Sequence, residues 1–308
     1  MPSLIQIAAA IGPRKALRIA RQHIKQAATT LHPWYDTTDT CPDRAIIIGG
    51  CGRSGTTLAR VILNRHPNIA CGRETAILCD LVNPARLSVE WGIPEAEIQA
   101  MVDASPNIIR FCEAFFRSYA QREGKPRWAD KTPRNVHAVP RILAAFPNAV
   151  FVHVVRDGRD VACSLRNHPK KDIRNGKVVP VHNDRPIRQC ANRWLNDTSL
   201  GLAFRGHPRC FELRYERLVT DTENAVRELC GFIREDYSPQ LLVPSGAEAA
   251  KNNPDADTQI KPTAMARWKR DLSAEERRTF VRIAGELLIA TGYVKDHAWA
   301  DEPVVARG

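Results

Sequence analysis

Apolar residues occur along this chain in short continuous runs separated by longer stretches of helical period, and the alternation begins at residue 44. Arg44-Ala45-Ile46-Ile47-Ile48-Gly49 reads as a strand buried on both faces, because an unbroken β-branched run leaves no polar face for water. A glycine-rich turn follows, then a helix through about Asn64 that Pro67 stops. Residues 95–122 are predicted to be mostly helical, and a helix over 135–145 ends at Pro147. Ala149-Val150-Phe151-Val152-His153-Val154-Val155 is the strongest strand signal, and Arg156-Asp157-Gly158 turns it into another helix. Cys210-Phe211-Glu212-Leu213-Arg214-Tyr215 is predicted as one more strand. Thr220 with Glu223, and Ser273 with Glu276, stand at capping-box spacing and are expected to open the last two long helices, the second ending at Gly292. Strands alternating with helices predict an α/β fold with a central, mainly parallel sheet flanked by helices. Segments 167–186 and 239–262 are basic or proline-rich and read as long loops of the kind that form lids or binding loops.

Ahead of that domain, Leu17, Ala20, Ile24, Ala27, Ala28 and Leu31 recur at helical spacing among Arg14, Lys15, Arg18, Arg21 and Lys25. The expected organisation is an N-terminal amphipathic helical segment over 1–43, an α/β domain over 44–300 and a tail over 301–308. The amphipathic segment is expected to pack on the domain, with peripheral contact to a membrane or docking to a partner as alternatives. No run approaches the roughly 20 apolar residues of a membrane-spanning helix. The first charges follow the opening apolar run, the reverse of a secretory leader.

Composition narrows the functional classes without choosing one. Hydrophobic residues at 44% and charged residues at 26% exclude collagen-like, coiled-coil and fully disordered readings. The net charge of +11 favours anionic partners: phosphorylated co-substrates, nucleic acid, acidic peptides or anionic lipid. Nucleic acid is not expected, because aromatics are only 6% and form no stacking set among the basic residues. The nine cysteines are odd in number and show no CxxC spacing, so a zinc or redox site is not expected and a reducing, cytoplasmic setting is the simpler reading.

The chemistry concentrates where the first strand meets the first helix. Gly49-Gly50-Cys51-Gly52-Arg53-Ser54-Gly55-Thr56-Thr57 puts backbone N–H groups and a helix N-terminus where an anion can sit. Gly50 and Gly55 have the spacing of a nucleotide P-loop, but Thr56 stands where the Walker lysine belongs and Arg53 is the only cation in the loop. A P-loop nucleoside or small-molecule kinase therefore remains an alternative, weakened by that missing lysine.

Taken with His66-Pro67, Cys71-Gly72-Arg73-Glu74-Thr75, Asp130-Lys131-Thr132-Pro133, Val155-Arg156-Asp157-Gly158-Arg159-Asp160 through Ser164, and Tyr215-Glu216-Arg217-Leu218-Val219, the loop resembles the sulfotransferases that use 3′-phosphoadenosine 5′-phosphosulfate. The likeness is greatest to their tyrosylprotein branch, and it extends more faintly to Ile260-Lys261-Pro262 and Trp268. It implies a P-loop-like three-layer α/β fold and transfer of a sulfuryl group to an acceptor hydroxyl, with adenosine 3′,5′-bisphosphate as product and no metal. It assigns Arg53 and Lys131 to charge developing on the leaving nucleotide, and Ser54, Gly55, Thr56 and Thr57 to the 5′-phosphate. Arg156 and Ser164 are expected to clamp the 3′-phosphate, Tyr215 to line the nucleotide site, and Arg267 or Lys269 beside Trp268 to close over it. Glu74 stands at the family's general-base position. Other branches use a histidine base, for which His137 and His153 rank behind it.

Two departures from the branch bear on the acceptor and the compartment. Ala76 stands where the branch has an arginine that holds acidic residues beside the target tyrosine, and Ala129 and Arg205 stand near the places of the cysteines that pair with Cys71 and Cys210. A peptide tyrosine therefore shares the acceptor role with small phenols, lipids and sugar hydroxyls, and the 167–186 segment is a candidate gate for any of them.

Overall fold

The computed structural model describes residues 33–174, 177–182, 184–243 and 265–303. Five strands, β1 (Ile46–Gly50), β2 (Ile69–Cys71), β3 (Arg127–Lys131), β4 (Val150–Val155) and β7 (Cys210–Arg214), form a sheet of order β2-β3-β1-β4-β7. Every pairing in it is parallel, with Ile46 of β1 opposite Ala129 of β3 and Val150 of β4. Between the strands run α1 (Thr56–Asn64), α2 (Pro84–Trp91), α3 (Glu95–Ala104), α4 (Ile108–Arg122), α5 (Val139–Ala145), α6 (Gly158–Arg166) and α7 (Ile187–Leu202), and α8 (Tyr215–Thr220) and α9 (Thr222–Ile233) follow β7. After residue 265 come α10 (Trp268–Asp271) and α11 (Ala274–Ala290).

Helices cover both faces, and β1, β2 and most of β4 are apolar, as a parallel sheet requires, whereas β3 carries Arg127, Asp130 and Lys131 and β7 carries Glu212 and Arg214. Ile47 and Phe151 pack with Phe111, Phe115 and Phe116 of α4 on one face. Ile46, Ile48, Val152 and Val154 pack with Leu58 and Ile62 of α1 and Val226 and Leu229 of α9 on the other. A third cluster around Trp194 and Phe280 joins α6, α7 and α11 beyond the sheet. Side-chain caps begin two of the long helices: Asn107 caps α4 by accepting from Ile109 N and Arg110 N at 3.0 and 3.1 Å, and the expected Ser273–Glu276 capping box forms in full.

Several sequence expectations change. The 167–186 segment is not a plain loop: β5 (Lys170–Arg174) and β6 (Lys177–Val181) pair as an antiparallel hairpin. Thr220 caps nothing; it ends α8, its hydroxyl turned back on the Glu216 carbonyl at 2.8 Å, and Asp221 precedes α9 instead. Tyr215 belongs to α8 rather than to the strand. Residues 33–43 of the expected helical segment form a turn and extended chain bound to the domain, with Trp34 Nε1 donating to Ser105 O at 2.8 Å and Asp39 paired with Arg110 at 2.6 Å. Residues 239–242 of the second expected loop form a short 3-10 turn. Residues 1–32, 244–264 (with Ile260-Lys261-Pro262) and 304–308 lie outside the described residues.

Candidate active site

In a parallel sheet all carboxyl ends reach one edge, and the loops leaving them meet there. Across this sheet the order is Glu74 after β2, Lys131 at the end of β3, the glycine-rich loop after β1, Arg156 after β4 and Tyr215 after β7. Residues as much as 141 positions apart in sequence are thus set side by side along one edge.

The loop after β1 is shaped for an anion. Gly50 (φ 147°), Arg53 (φ 76°) and Gly55 (φ 96°) are left-handed, and a Cβ on Gly50 would collide with Val154 O, as one on Gly55 would with the Tyr215 ring. No side chain caps α1 and no acidic residue stands in its first turn, so its leading N–H groups and positive dipole end face the loop. Ser54 is buried with its hydroxyl oxygen unpartnered. These features fit a phosphate group.

Beside the loop, Arg156 is 5% exposed. Its Nη1 donates to Arg53 O at 3.0 Å, and its guanidinium lies 4.4 Å above the Tyr215 ring centre. Arg53 Nε donates to Ser164 Oγ at 3.0 Å, so Ser164 is turned toward the loop rather than onto its own helix. Desolvation by the surrounding chain and the nearby charges of Arg156 and Arg267 lower the Arg53 pKa, while Glu74 opposes them. Arg53, Arg156 and Arg267 therefore form one positive cluster.

Arg267 is carried there by a contact that no local pattern announces. Asp160 of α6 accepts Ala266 N at 2.8 Å and Trp268 N at 3.1 Å, tying the chain before α10 to the start of α6. Burial pushes the Asp160 carboxyl up to about 6. Trp268 is buried under the Arg159 guanidinium, 3.9 Å from its ring centre. Asp157 accepts Arg159 N at 2.9 Å, its own N–H donates to Glu216 at 2.9 Å, and Tyr293 holds the other Glu216 oxygen at 3.0 Å. The sequence motif contained Asp157, Arg159, Asp160 and Glu216 without giving them roles. Asp157 before Gly158 was readable as a helix cap, whereas the partners of Asp160 and Glu216 lie too far along the chain to be read.

At the other end, Lys131 is 3% exposed. Its ammonium bonds Glu74 Oε1 at 2.6 Å and reaches Thr57 Oγ1 at 3.4 Å, joining base candidate, cation and phosphate loop. The Glu74 side chain is 44% exposed, open toward whatever approaches from solvent. His153 is buried in β4 against Gly201, and burial lowers its pKa to about 4, so it is not placed for proton transfer in this cleft. His137 pairs with Asp197 at 2.8 Å, and Arg193, next to Gly52, reaches the same carboxylate at 3.4 Å. Ala129 lies opposite Cys71 in the β2–β3 register, and all nine cysteines are free.

Comparison with known proteins bears on the family and the fold. The chain is 28% identical over 271 residues to a protein-tyrosine sulfotransferase of Drosophila melanogaster, covering 80% of this chain but 51% of the fly protein. It is 24% identical to protein-tyrosine sulfotransferase 1 of Danio rerio, over 80% of this chain and 72% of the fish protein. The sulfotransferase domain of the Synechococcus PCC 7002 olefin synthase shares the fold, with a TM-score of 0.56, 22% identity, and 82% of this chain and 96% of that domain covered. Among the described residues no helix is long and apolar enough to cross a membrane. The family model described as the sulfotransferase family matches residues 45–239, over half of the chain and all five strands of the parallel sheet, and the chain belongs to that family.

Proposed function

We propose that this protein transfers a sulfuryl group from 3′-phosphoadenosine 5′-phosphosulfate to an acceptor hydroxyl. The observation that carries the reading is the order of groups along the sheet edge: base, cation, phosphate loop, second phosphate clamp. Arg156, Ser164, Tyr215 and Arg267 would hold the 3′-phosphate and its surroundings, and the loop amides with Ser54, Gly55, Thr56 and Thr57 the 5′-phosphate. The donor's contribution is a sulfur bonded to a phosphate leaving group. Glu74 takes the proton of the attacking hydroxyl as its oxygen bonds to that sulfur, and Lys131 and Arg53 face the charge left on the departing phosphate oxygen as the old bond breaks.

The relatives' names support a tyrosine hydroxyl as acceptor. Ala76 and the half-open surroundings of Glu74 leave room for a small phenol or alcohol as well. The free cysteines support a reducing, cytoplasmic compartment. The kinase alternative finds no counterpart for the Walker lysine, since Thr56 begins α1 in its place.

Thermal melting tests the donor class directly. Adenosine 3′,5′-bisphosphate at about 100 times its Kd adds about 2.7 kcal/mol and raises Tm by a few degrees, while ATP–Mg²⁺ at equal concentration raises it less. A shift with ATP–Mg²⁺ alone overturns the reading in favour of the kinase.

A further inference from the structure

Glu74 lies on a loop, half exposed, and its placement needs an explanation beyond its single ion pair with Lys131. The explanation lies directly beneath it. The two N–H groups that follow Glu74, those of Thr75 and Ala76, both donate to the hydroxyl oxygen of Thr132, each at 3.2 Å. That hydroxyl donates its own proton to Asp130 Oδ1 at 3.3 Å, where the Thr75 hydroxyl also donates at 3.1 Å. Asn135 holds the other Asp130 oxygen at 2.7 Å and, through the same amide nitrogen, Ile48 O at 3.2 Å. Thr132 N also donates to Ile48 O at 3.2 Å, so the assembly is anchored to the end of the central strand.

We infer that Thr132, held by Asp130, is the positioning residue that sets the Glu74 carboxylate against Lys131 and the phosphate loop. A hydroxyl has two lone pairs and one proton, and here all three are used. No apolar side chain of the same shape supplies them. Thr132 is 2% exposed and Asp130 1%, so the bonds form away from competing water. Ala76 is left-handed (φ 58°), a conformation that an alanine holds only when its neighbours fix it, and its N–H bond to Thr132 is one such constraint. Lys131 lies between Asp130 and Thr132 in sequence, so one short segment places both the cation and, through the hydroxyl, the base. Neither Thr132 nor Asp130 touches the reacting atoms.

The inference rests on the sulfotransferase reading, and one experiment separates the two. The rate measured is release of adenosine 3′,5′-bisphosphate from the donor in the presence of a tyrosine-containing peptide. Thr132→Val is expected to lower kcat about 100-fold, the cost of misplacing a catalytic group by about 1 Å. Donor KM and the bisphosphate melting shift are expected to stay near wild type, and amide exchange at Thr75 and Ala76 to speed up. Thr132→Ser keeps the hydroxyl and is expected to recover most of the rate. In a Glu74→Gln background, Thr132→Val is expected to cost nothing further, because the residue acts through Glu74. An equal loss in that background, a weakened donor KM, or a serine variant as poor as the valine one overturns the positioning role alone. A wild-type protein that neither releases the bisphosphate nor melts higher with it overturns the sulfotransferase reading and this inference together.

Discussion

Arg156 and Glu74 leave strands of the same parallel sheet at the same edge, yet they meet different surroundings. Arg156 is nearly sealed, bonded to the loop carbonyl of Arg53, laid over Tyr215 and 4.0 Å from Asp160, which in turn holds the chain carrying Arg267. Glu74 projects half into solvent beside a left-handed alanine, fixed by Lys131 in front and one threonine hydroxyl behind. The phosphates of a nucleotide donor have one geometry, and cations already in place for them lose little freedom on binding. Acceptor hydroxyls differ in size and flank, and a half-open base accommodates them at the cost of relying on few supports. The two ends of one cleft are therefore expected to fail differently when cut.

The largest effect is expected from Glu74→Gln, which keeps shape but removes the proton acceptor. Its kcat should fall about 10³-fold, within the usual range for a lost general base, while adenosine 3′,5′-bisphosphate binds as before. Isothermal titration beside turnover measurements checks both halves, and weakened bisphosphate binding would show that the two ends are not separable. Arg156→Ala should do the opposite. Removing a buried, charge-assisted donor is expected to cost about 3 kcal/mol, or about 100-fold in Kd, for a nucleotide bearing a 3′-phosphate. For adenosine 5′-phosphate, which lacks that phosphate, the loss should be much smaller; equal losses would remove Arg156 from the 3′-phosphate site.

The same contrast governs what the sequence made legible. β1, β4 and β7 rest on apolar-rich runs and the loop after β1 on local glycine spacing, so the α/β class and an anion-shaped loop were readable; β2, only three residues long, and β3, which carries Arg127, Asp130 and Lys131, were not. Lys131, Arg156 and Glu74 were readable only through motif resemblance, yet the structure brings them to one edge. What stayed hidden depends on contacts far apart in sequence: Asp160 with Trp268, 108 residues away, and Thr75 with Thr132, 57 residues away. The hairpin of β5 and β6 was missed because Asn175-Gly176, a hairpin signal in sequence, stands among lysines and prolines that read as loop. The false cap at Thr220 shows the converse, a correct local spacing overruled because the preceding helix extends through it.

Asp160 offers the finest probe of the donor end, because it is buried behind the arginine cluster instead of in the cleft. Its carboxyl holds its proton up to about pH 6 in the folded protein, whereas an unfolded chain releases it near 3.8. Between those values the folded state binds more protons, so this group's contribution to stability falls as pH rises, by under about 3 kcal/mol in all. Asp160→Asn removes the titration. The stability difference, variant minus wild type, should therefore climb between pH 4 and pH 6 and level off above, as measured by urea unfolding across that range. His153, with its pKa lowered to about 4, works in the opposite sense in both proteins and cancels in the difference. A flat difference would mean that the two backbone N–H groups and Arg156 already balance the burial of an ionised Asp160. The donor end would then be held by a fixed charge at every pH in the range, and its contrast with the half-open acceptor end would be sharper still.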